Sequence, residues 1–163
     1  MVKVLFVCLG NICRSPLAEG LFRHRALEAG LDEGLSGAFL ADSAGTGSWH
    51  VGNPPDIRSV AVARKYGIDI SAQRGRQIEP TDFTTFDYIL AMDRDNLSTL
   101  QAQCPPEHQE KVSLLLSHAP DTMLTEVPDP YFFRDDAGFE RIFSVIGEGV
   151  DGLLARLKSD HFS

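Results

Sequence analysis

The sequence predicts an α/β fold built around a parallel sheet. A short, nearly continuous apolar run opens the chain, further short apolar runs follow it, and segments with helical spacing separate them. Continuous apolar runs are typical of strands that are buried on both faces of a sheet. Strands that alternate with helices indicate parallel pairing, because each crossover helix returns the chain to the same edge of the sheet.

The first strand and the loop after it give the clearest local signals. Residues 2–7 are rich in β-branched and aromatic side chains and predict a strand. Residues 8–14 then predict a loop, since Gly10 and Asn11 both tolerate a positive φ. Because ligands of open α/β sheets bind at the carboxyl ends of the strands, this loop is a candidate site.

A helix and further alternating elements follow the loop. Ser15 is expected as the N-cap of the first helix and Pro16 as its first helical residue, with Gly30 placed to end it. The same cap, turn and periodicity signals predict strands at 39–41, 88–92 and 112–116, helices at 56–66, from Asp93 onward and at 137–158, and a loop at 127–133. Without an internal repeat or a linker, residues 1–163 are expected to form a single domain.

Composition limits the partners that the chain can have. The formal net charge of −8 argues against nucleic acid and anionic membrane as main partners, although a local cluster of amides with one Arg can still bind an anionic substrate. Three cysteines make a poor disulfide framework. No signal peptide or run of about 20 apolar residues is visible, so a cytoplasmic location is expected.

The loop at 8–14 carries a pattern suited to phosphate chemistry. Cys8 and Arg14 have the spacing C-x5-R, and Ser15 follows directly, between a predicted strand and a predicted helix. Loop amides and a helix N-terminus can together surround an anion, and the planar guanidinium of Arg14 matches two phosphate oxygens. The same positive field favours the thiolate form of Cys8, which would be a nucleophile beneath a bound phosphate.

Simpler interpretations of these cysteines are available. The C-x5-R spacing occurs by chance, and a Cys at a strand end is often only a small buried side chain. The strand before the loop, the Gly-Asn pair and the Ser-Pro pair favour the functional interpretation. The C-x4-C spacing of Cys8 and Cys13 could suggest zinc, but the five histidines are scattered and form no second pair of ligands, so no metal is expected.

The segment VCLGNICRSPLAEG, residues 7–20, resembles the signature loop of the low-molecular-weight protein tyrosine phosphatases. Four further blocks are similar to that family in the same order: DSAGT at 42–46, WHVG at 49–52, FDYILAMD at 86–93 and DPY at 129–131. The resemblance implies a three-layer fold with a four-stranded parallel sheet flanked by helices, and no metal or organic cofactor. It also implies hydrolysis of phosphotyrosine, an aryl phosphate, through a phosphocysteine intermediate.

The resemblance assigns roles to individual residues of the loop. Cys8 would be the nucleophile and Arg14 would hold the phosphate, while Ser15 would donate a hydrogen bond to the Cys8 sulfur. Asn11 would hold the strained shape of the loop, and Ser43 would support it from the next strand. Phosphate would lie against the loop residues Leu9, Gly10, Asn11, Ile12, Cys13 and Arg14.

Other matched positions extend the site beyond the loop. Asp129 would protonate the leaving oxygen and then activate the water that hydrolyses the phosphocysteine, although an Asp before Pro130 is by itself typical of a turn. Trp49 and Tyr131 would form aromatic walls of the substrate cleft, although a lone Trp is more often a core residue. Gln73 stands where the family has a His that braces the loop, and its amide can donate one hydrogen bond instead.

Several alternatives stay open or are disfavoured by particular residues. Cys13 is either a resolving thiol for oxidised Cys8 or simply a small buried residue. Arsenate reductases with this loop relay electrons through two further cysteines, whereas only Cys104 lies beyond the loop here. Phosphoarginine phosphatases of the family tend to carry Thr at the position of Ile12. A silent phosphoprotein-binding module is disfavoured by the joint presence of Cys8, Arg14, Ser15 and Asp129.

The expected partners follow from this resemblance. The substrate would be a phosphotyrosine-containing protein, and phosphate would be both product and inhibitor. The chain is expected to act as a monomer.

Overall fold

The sheet contains four strands in the described part of the chain. The computed structural model describes residues 1–130 and 135–162. Within them the strands are β1 (Val2–Cys8), β2 (Phe39–Gly45), β3 (Tyr88–Ala91) and β4 (Val112–Leu114), in the spatial order β2-β1-β3-β4. Every neighbouring pair is parallel. The predicted α/β class with a four-stranded parallel sheet is therefore confirmed.

Helices cover both faces of the sheet. They are α1 (Arg14–Glu28), α2 (Ile57–Lys65), α3 (Asp82–Thr85), α4 (Arg94–Gln103) and α5 (Asp136–His161), with 3-10 segments at Pro106–Lys111 and Leu115–His118. Helices α1, α2 and α5 contribute to one apolar cluster, and α3 and α4 to the other. In the described ranges, no helix is both long enough and apolar enough to cross a membrane.

The central strand β1 explains the apolar run that opens the sequence. Val4 and Phe6 belong to the cluster under α1 and α5, whereas Leu5 and Val7 belong to the cluster under α3 and α4. All four side chains are 0% exposed. Because successive strand residues point to opposite faces, a strand that is covered on both sides is apolar at every position.

The start of the first helix differs from the sequence prediction. Helix α1 begins at Arg14 with Cys13 as its N-cap, so the prediction that Ser15 caps the helix is wrong. Ser15 is the second helical residue, and its hydroxyl lies 3.0 Å from the Cys8 sulfur instead of bonding a backbone N–H of the first turn. Pro16 was predicted as the first helical residue and is the third, but it still lies in the first turn, where an N–H would have no intrahelical acceptor.

Two strand boundaries also differ. Strand β2 continues to Gly45, beyond the predicted 39–41, because it pairs with β1 along the whole strand as far as Cys8. This extension was not predicted because the polar residues Asp42 and Ser43 interrupt the apolar run. Strand β4 ends at Leu114, and the last two residues of the predicted strand, 115 and 116, belong instead to the 3-10 segment Leu115–His118.

Candidate active site

Cys8 is the last residue of the central strand and therefore lies at the carboxyl edge of the sheet, paired in register with Gly45. A short loop connects it to Arg14, the first residue of α1. No side chain among the described residues caps this helix, so the N–H groups of its first turn remain available to an anion. This arrangement supplies the positive end of a helix dipole next to a cysteine sulfur.

The backbone of the loop is anchored through its carbonyl groups. The carbonyls of Cys8 and Leu9 each accept a backbone hydrogen bond of 2.9 Å from the chain after β2, and that of Ile12 accepts one of 2.8 Å from the residue before α2. In a trans peptide the C=O and the following N–H point in opposite directions. The N–H groups of residues 9, 10 and 13 therefore point away from these anchors, as an anion-binding loop requires.

Asn11 holds the loop in its unusual conformation. Its φ of 57° lies in the left-handed region, which Asn tolerates better than most residues. The side-chain amide donates to the hydroxyls of Ser15 at 2.8 Å and Ser43 at 3.0 Å. Its carbonyl oxygen accepts a bond of 3.0 Å from the backbone N–H of Arg76. All the hydrogen-bonding capacity of the amide nitrogen is thus used inside the protein.

The Cys8 sulfur is buried and surrounded by donors. It accepts a hydrogen bond of 3.2 Å from the Asn11 backbone N–H and lies 3.0 Å from the Ser15 hydroxyl. Because the Ser15 oxygen already accepts from the Asn11 side chain, its own proton can be directed at the sulfur. Two hydrogen-bond donors therefore converge on one sulfur and hold it in place.

Arg14 is buried and oriented by the scaffold. Its Nη1 donates to Asp93 Oδ2 at 2.7 Å and to the Val127 carbonyl at 3.0 Å, and its Nη2 lies 4.0 Å from Asp129 Oδ2. Burial opposes the charge of the guanidinium, but Cys8, Asp93 and Asp129 outweigh that effect and raise the pKa of Arg14. The side chain is therefore a permanent cation at the edge of the loop.

A cavity joins these groups into one site. It is lined by Cys8, Leu9, Gly10, Ile12, Cys13, Arg14, Trp49, His50 and Asp129. The fold thus brings Asp129, which is far from the loop in sequence, to the same cavity as Cys8. The side chains of Asn11, Ser15 and Ser43 are not part of the cavity lining, and Asn11 is hydrogen-bonded to the other two.

The outer wall of the cavity is apolar. Trp49 is 72% exposed and therefore is not a core residue, and one edge of its ring packs directly over Gly47. Leu9 is partly exposed beside it, whereas Ile12 is buried within the loop. Tyr131, the second predicted aromatic wall, lies outside the described residues.

Gln73 does not reach the residues that it was expected to brace. Its side-chain nitrogen donates to the Pro16 carbonyl in α1 at 3.1 Å, and its buried side-chain oxygen has no hydrogen-bond partner among the described residues. The segment that contains Gln73 supports the loop differently, through the backbone N–H of Arg76 on Asn11. The support therefore comes from the backbone and does not depend on the residue type at position 73.

Two site residues were not identified from the sequence. Asp93 orients Arg14, and the available signal was its position two residues after the end of the third strand, at the same sheet edge as Cys8. His50 lines the cavity beside Trp49, and its ring Nδ1 accepts a bond of 3.3 Å from the Asn53 side-chain nitrogen. A lone His in a loop offers no local pattern that marks it as part of a site.

Cys13 is a buried neutral thiol. Burial raises its pKa to about 12, and the negative charges of Asp56 and Cys8 act in the same direction. The three cysteines are all free in this structure. Across residues 1–130 and 135–162, no group of three or more His, Cys, Asp or Glu residues is arranged to hold a metal ion.

Comparison with known proteins gives consistent results in sequence and in structure. Residues 3–162 match the family described as low molecular weight phosphotyrosine protein phosphatase. The low molecular weight protein-tyrosine-phosphatase YfkJ of Bacillus subtilis is 41% identical over 160 residues, which are 98% of each chain. A protein tyrosine phosphatase from Entamoeba histolytica superposes with a TM-score of 0.90 at 35% identity, covering 98% of each chain. The arginine phosphatase of Drosophila superposes with a TM-score of 0.87 at 36% identity, covering 98% of this chain and 99% of that one.

Proposed function

The chain belongs to the family of low molecular weight phosphotyrosine protein phosphatases, which are phosphoric monoester hydrolases, and from this premise we propose that it hydrolyses phosphotyrosine in proteins through a phosphocysteine on Cys8. One observation carries the proposal: the Cys8 sulfur, with two donors aimed at it, shares a cavity with the Arg14 guanidinium and the Asp129 carboxyl. Nucleophile, anion clamp and proton donor are the three parts that phosphoryl transfer through a covalent intermediate requires.

In the first step the phosphate of the substrate lies on the loop amides and on Arg14. The Cys8 thiolate attacks phosphorus, the S–P bond forms, and the bond from phosphorus to the tyrosine oxygen breaks. Asp129 gives its proton to that oxygen as it leaves. Arg14 stabilises the three equatorial oxygens, whose charge spreads in the transition state.

In the second step a water molecule attacks the phosphocysteine. Asp129, now a carboxylate, takes a proton from the water, so one side chain acts first as acid and then as base. The S–P bond breaks, phosphate is released, and the electron pair returns to Cys8. The Ser15 hydroxyl at 3.0 Å stabilises the thiolate as it departs.

The walls of the cavity favour an aryl phosphate. Leu9, Ile12 and Trp49 present apolar surface on which a phenyl ring can pack, and aromatic stacking on an exposed Trp adds to that contact. Phosphoarginine is the competing substrate, since one structural relative is an arginine phosphatase. Its guanidino group requires a polar partner near the phosphate, and the apolar branch of Ile12 offers none. The proposed substrate is therefore phosphotyrosine.

A cytoplasmic location and action as a monomer belong to the same proposal. The nucleophile must remain a reduced thiol, which a reducing compartment maintains. Each residue of the mechanism comes from one chain, so no second subunit is needed to complete the site.

The test is a kinetic comparison of peptides that carry phosphotyrosine, phosphoserine or phosphoarginine. We expect kcat/KM for phosphotyrosine to exceed the others by about 10²-fold or more, since acid assistance and aryl packing act together. Rapid acid quenching during turnover should trap phosphate on Cys8, located by mass spectrometry. A preference for phosphoarginine, or turnover without any trapped phosphocysteine, would contradict the proposal.

A further inference from the structure

Arg23 joins three separate parts of the fold behind the 8–14 loop. From α1 it donates through Nη1 to Glu19 at 2.9 Å, through Nε to Glu33, and through Nη2 to the Ala41 carbonyl in β2 at 3.0 Å. These bonds use all three nitrogens of the guanidinium, so the side chain is fixed although it is partly exposed. It is not among the described residues that line the cavity, and its three hydrogen bonds go to residues outside the 8–14 loop.

Glu19 connects Arg23 to Ser43 through its two carboxylate oxygens. Its side chain is buried, with one oxygen bonded to Arg23 and the other bonded to the Ser43 hydroxyl at 2.8 Å. An ionised carboxylate only accepts hydrogen bonds. Ser43 must therefore donate its proton to Glu19, and its oxygen is left to accept the bond of 3.0 Å from the Asn11 amide.

The remaining hydrogen bonds then have only one possible direction. The Asn11 amide cannot be turned around, because its oxygen accepts from the backbone N–H of Arg76. Its two protons go to Ser43 and to Ser15. Ser15 accepts one of them, so its own proton is directed at the Cys8 sulfur at 3.0 Å.

We propose that Arg23 is a positioning residue for the Cys8 thiolate and acts through Glu19, Ser43, Asn11 and Ser15. The ionised Glu19 takes the Ser43 proton and so keeps the Ser43 oxygen as an acceptor for Asn11, and Arg23 keeps Glu19 ionised. The inference rests on the proposed function, in which Cys8 is the nucleophile. It extends that function to a residue that contacts neither substrate nor sulfur.

The electrostatics of Glu19 explain why a cation is needed. Burial raises the pKa of Glu19, and the nearby Asp42 adds to this, while Arg23 and the Ser43 hydroxyl oppose it. Asp42 is itself bonded to Arg76, and Glu33 faces Glu19 only across the Arg23 guanidinium. Without Arg23 the carboxyl would take up a proton at a higher pH. A protonated Glu19 can donate to the Ser43 oxygen and compete there with the Asn11 amide, so that Asn11 is held less firmly against Ser15.

The test measures the sulfur directly, without phosphatase turnover. The rate at which iodoacetamide alkylates Cys8 is followed from pH 5 to 8, with the modified residue identified by mass spectrometry. For Arg23→Gln we expect a rate about threefold to tenfold below wild type near pH 6, the size of one weakened charge-assisted hydrogen bond. The deficit should shrink as pH rises and Glu19 ionises again. Arg23→Lys, which keeps the charge, should recover most of the rate.

Arg25→Gln is the matched control. Arg25 lies on the same helix, and within residues 1–130 and 135–162 its side chain bonds only Glu28 and Asp151 at the surface, so its loss should leave alkylation unchanged. The decisive comparison is made in a Ser15→Ala background, where the side-chain path from Arg23 to Cys8 is already broken and the Asn11 backbone N–H is the donor that remains at the sulfur. There Arg23→Gln should have no further effect on the rate.

Two results would overturn the proposal: an undiminished alkylation rate in Arg23→Gln, or the same proportional loss with and without Ser15. Thermal unfolding of each variant verifies that it is folded. If Arg23→Gln does not fold, Glu33→Gln is used instead, because it weakens only one of the bonds that hold Arg23. The alkylation rate of Glu33→Gln should fall by a smaller factor, and that loss should also shrink as pH rises. An unchanged alkylation rate in Glu33→Gln would equally reject the proposal. A chain that lacks phosphatase activity but retains the Arg23 dependence would reject the proposed function alone.

Discussion

Arg14 Nη1 donates to Asp93 Oδ2 at 2.7 Å, which places a carboxylate directly behind the residue proposed to hold phosphate. The other oxygen of Asp93 accepts from the backbone N–H of Asn96 at 2.8 Å and so caps helix α4. A carboxylate held by a helix end is a fixed anchor, and the bidentate geometry of Arg14 is therefore set before any substrate arrives.

This fixed orientation predicts that charge alone cannot replace Arg14. Arg14→Lys should lower kcat/KM for phosphotyrosine by about 10³-fold or more, nearly as much as Arg14→Ala, because the planar fork is lost while the equatorial oxygens spread. Steady-state kinetics on both variants provide the measurement. If Lys restores most of kcat, the residue acts only as a charge and the geometric argument is wrong.

Cys8→Ser should abolish turnover without abolishing phosphate binding. A serine hydroxyl is far less ionised than a thiol, but the loop amides and Arg14 are retained. Trp49 is the single Trp of the chain and lines the cavity, so its fluorescence can report titration with phosphate. Measurable hydrolysis by the purified Cys8→Ser protein would remove Cys8 from the role of nucleophile.

The sequence was sufficient for the fold class because the two central strands, β1 and β3, are largely apolar on both faces. The strand ending at Cys8 and the helix near Ser15 could be placed from composition and turn residues alone. The strained Asn11 was also indicated, since Asn and Gly are the residues that tolerate its conformation. These features are local, and local propensities and spacing determine them.

Contacts between distant segments could not be predicted in the same way. The bond between Arg14 and Asp93 joins residues 79 positions apart, and the charge pattern of either segment gives no sign of it. The N-cap prediction at Ser15 was wrong for a related reason. The Ser15 hydroxyl bonds the Cys8 sulfur across the loop instead of a backbone N–H of its own helix. Helix-capping preferences describe only bonds to the helix backbone, so they could not predict this contact.

A matched pair of glycines tests how closely α5 packs. A Cβ at Gly152 would lie 1.9 Å from the His118 carbonyl oxygen, whereas one at Gly147 would meet only a Leu21 methyl group at 3.5 Å. Gly152→Ala should lower the free energy of unfolding by about 1–3 kcal/mol through overpacking. Gly147→Ala should raise it by up to about 1 kcal/mol through helix propensity. Urea unfolding of both variants gives the comparison, and equal stability of the two would contradict it.

Peroxide is expected to inactivate the protein reversibly through a Cys8–Cys13 disulfide. Oxidised Cys8 must be attacked by the thiolate of Cys13, and burial raises the pKa of that thiol to about 12. At neutral pH the thiol is almost entirely protonated, so the disulfide should form slowly, with a rate that rises roughly tenfold per pH unit between pH 6 and 9.

Mass spectrometry of the oxidised protein should show the linkage. Cys13→Ser should lose activity irreversibly under the same treatment, because the sulfenic acid then proceeds to higher oxidation states. Cys104→Ser is the control, since Cys104 lies in the apolar cluster on the opposite face of the sheet. Full thiol recovery of Cys13→Ser would show that Cys13 does not protect Cys8.

Asp129 is the proposed general acid, and it lies far from the 8–14 loop in sequence. Substrates whose leaving groups differ in pKa can test its role. Asp129→Asn keeps the shape of the side chain and removes the proton. The rate of phosphocysteine formation should fall by about 10²–10⁴-fold on phosphotyrosine. It should fall much less on an activated aryl phosphate, whose leaving oxygen needs no proton. The fall of the rate at high pH, which reports loss of the acid's proton, should disappear while the fall at low pH persists.

Asp93→Asn is the matched control for this experiment, since it makes the same change in a carboxylate that also contacts Arg14. Because Asp93 orients the guanidinium, its loss should slow both substrates by a similar factor and leave the pH dependence at high pH intact. Single-turnover kinetics on the two substrates separate the roles. If Asp129→Asn slows both substrates equally, as Asp93→Asn is expected to do, Asp129 only positions Arg14 and another group must protonate the leaving oxygen.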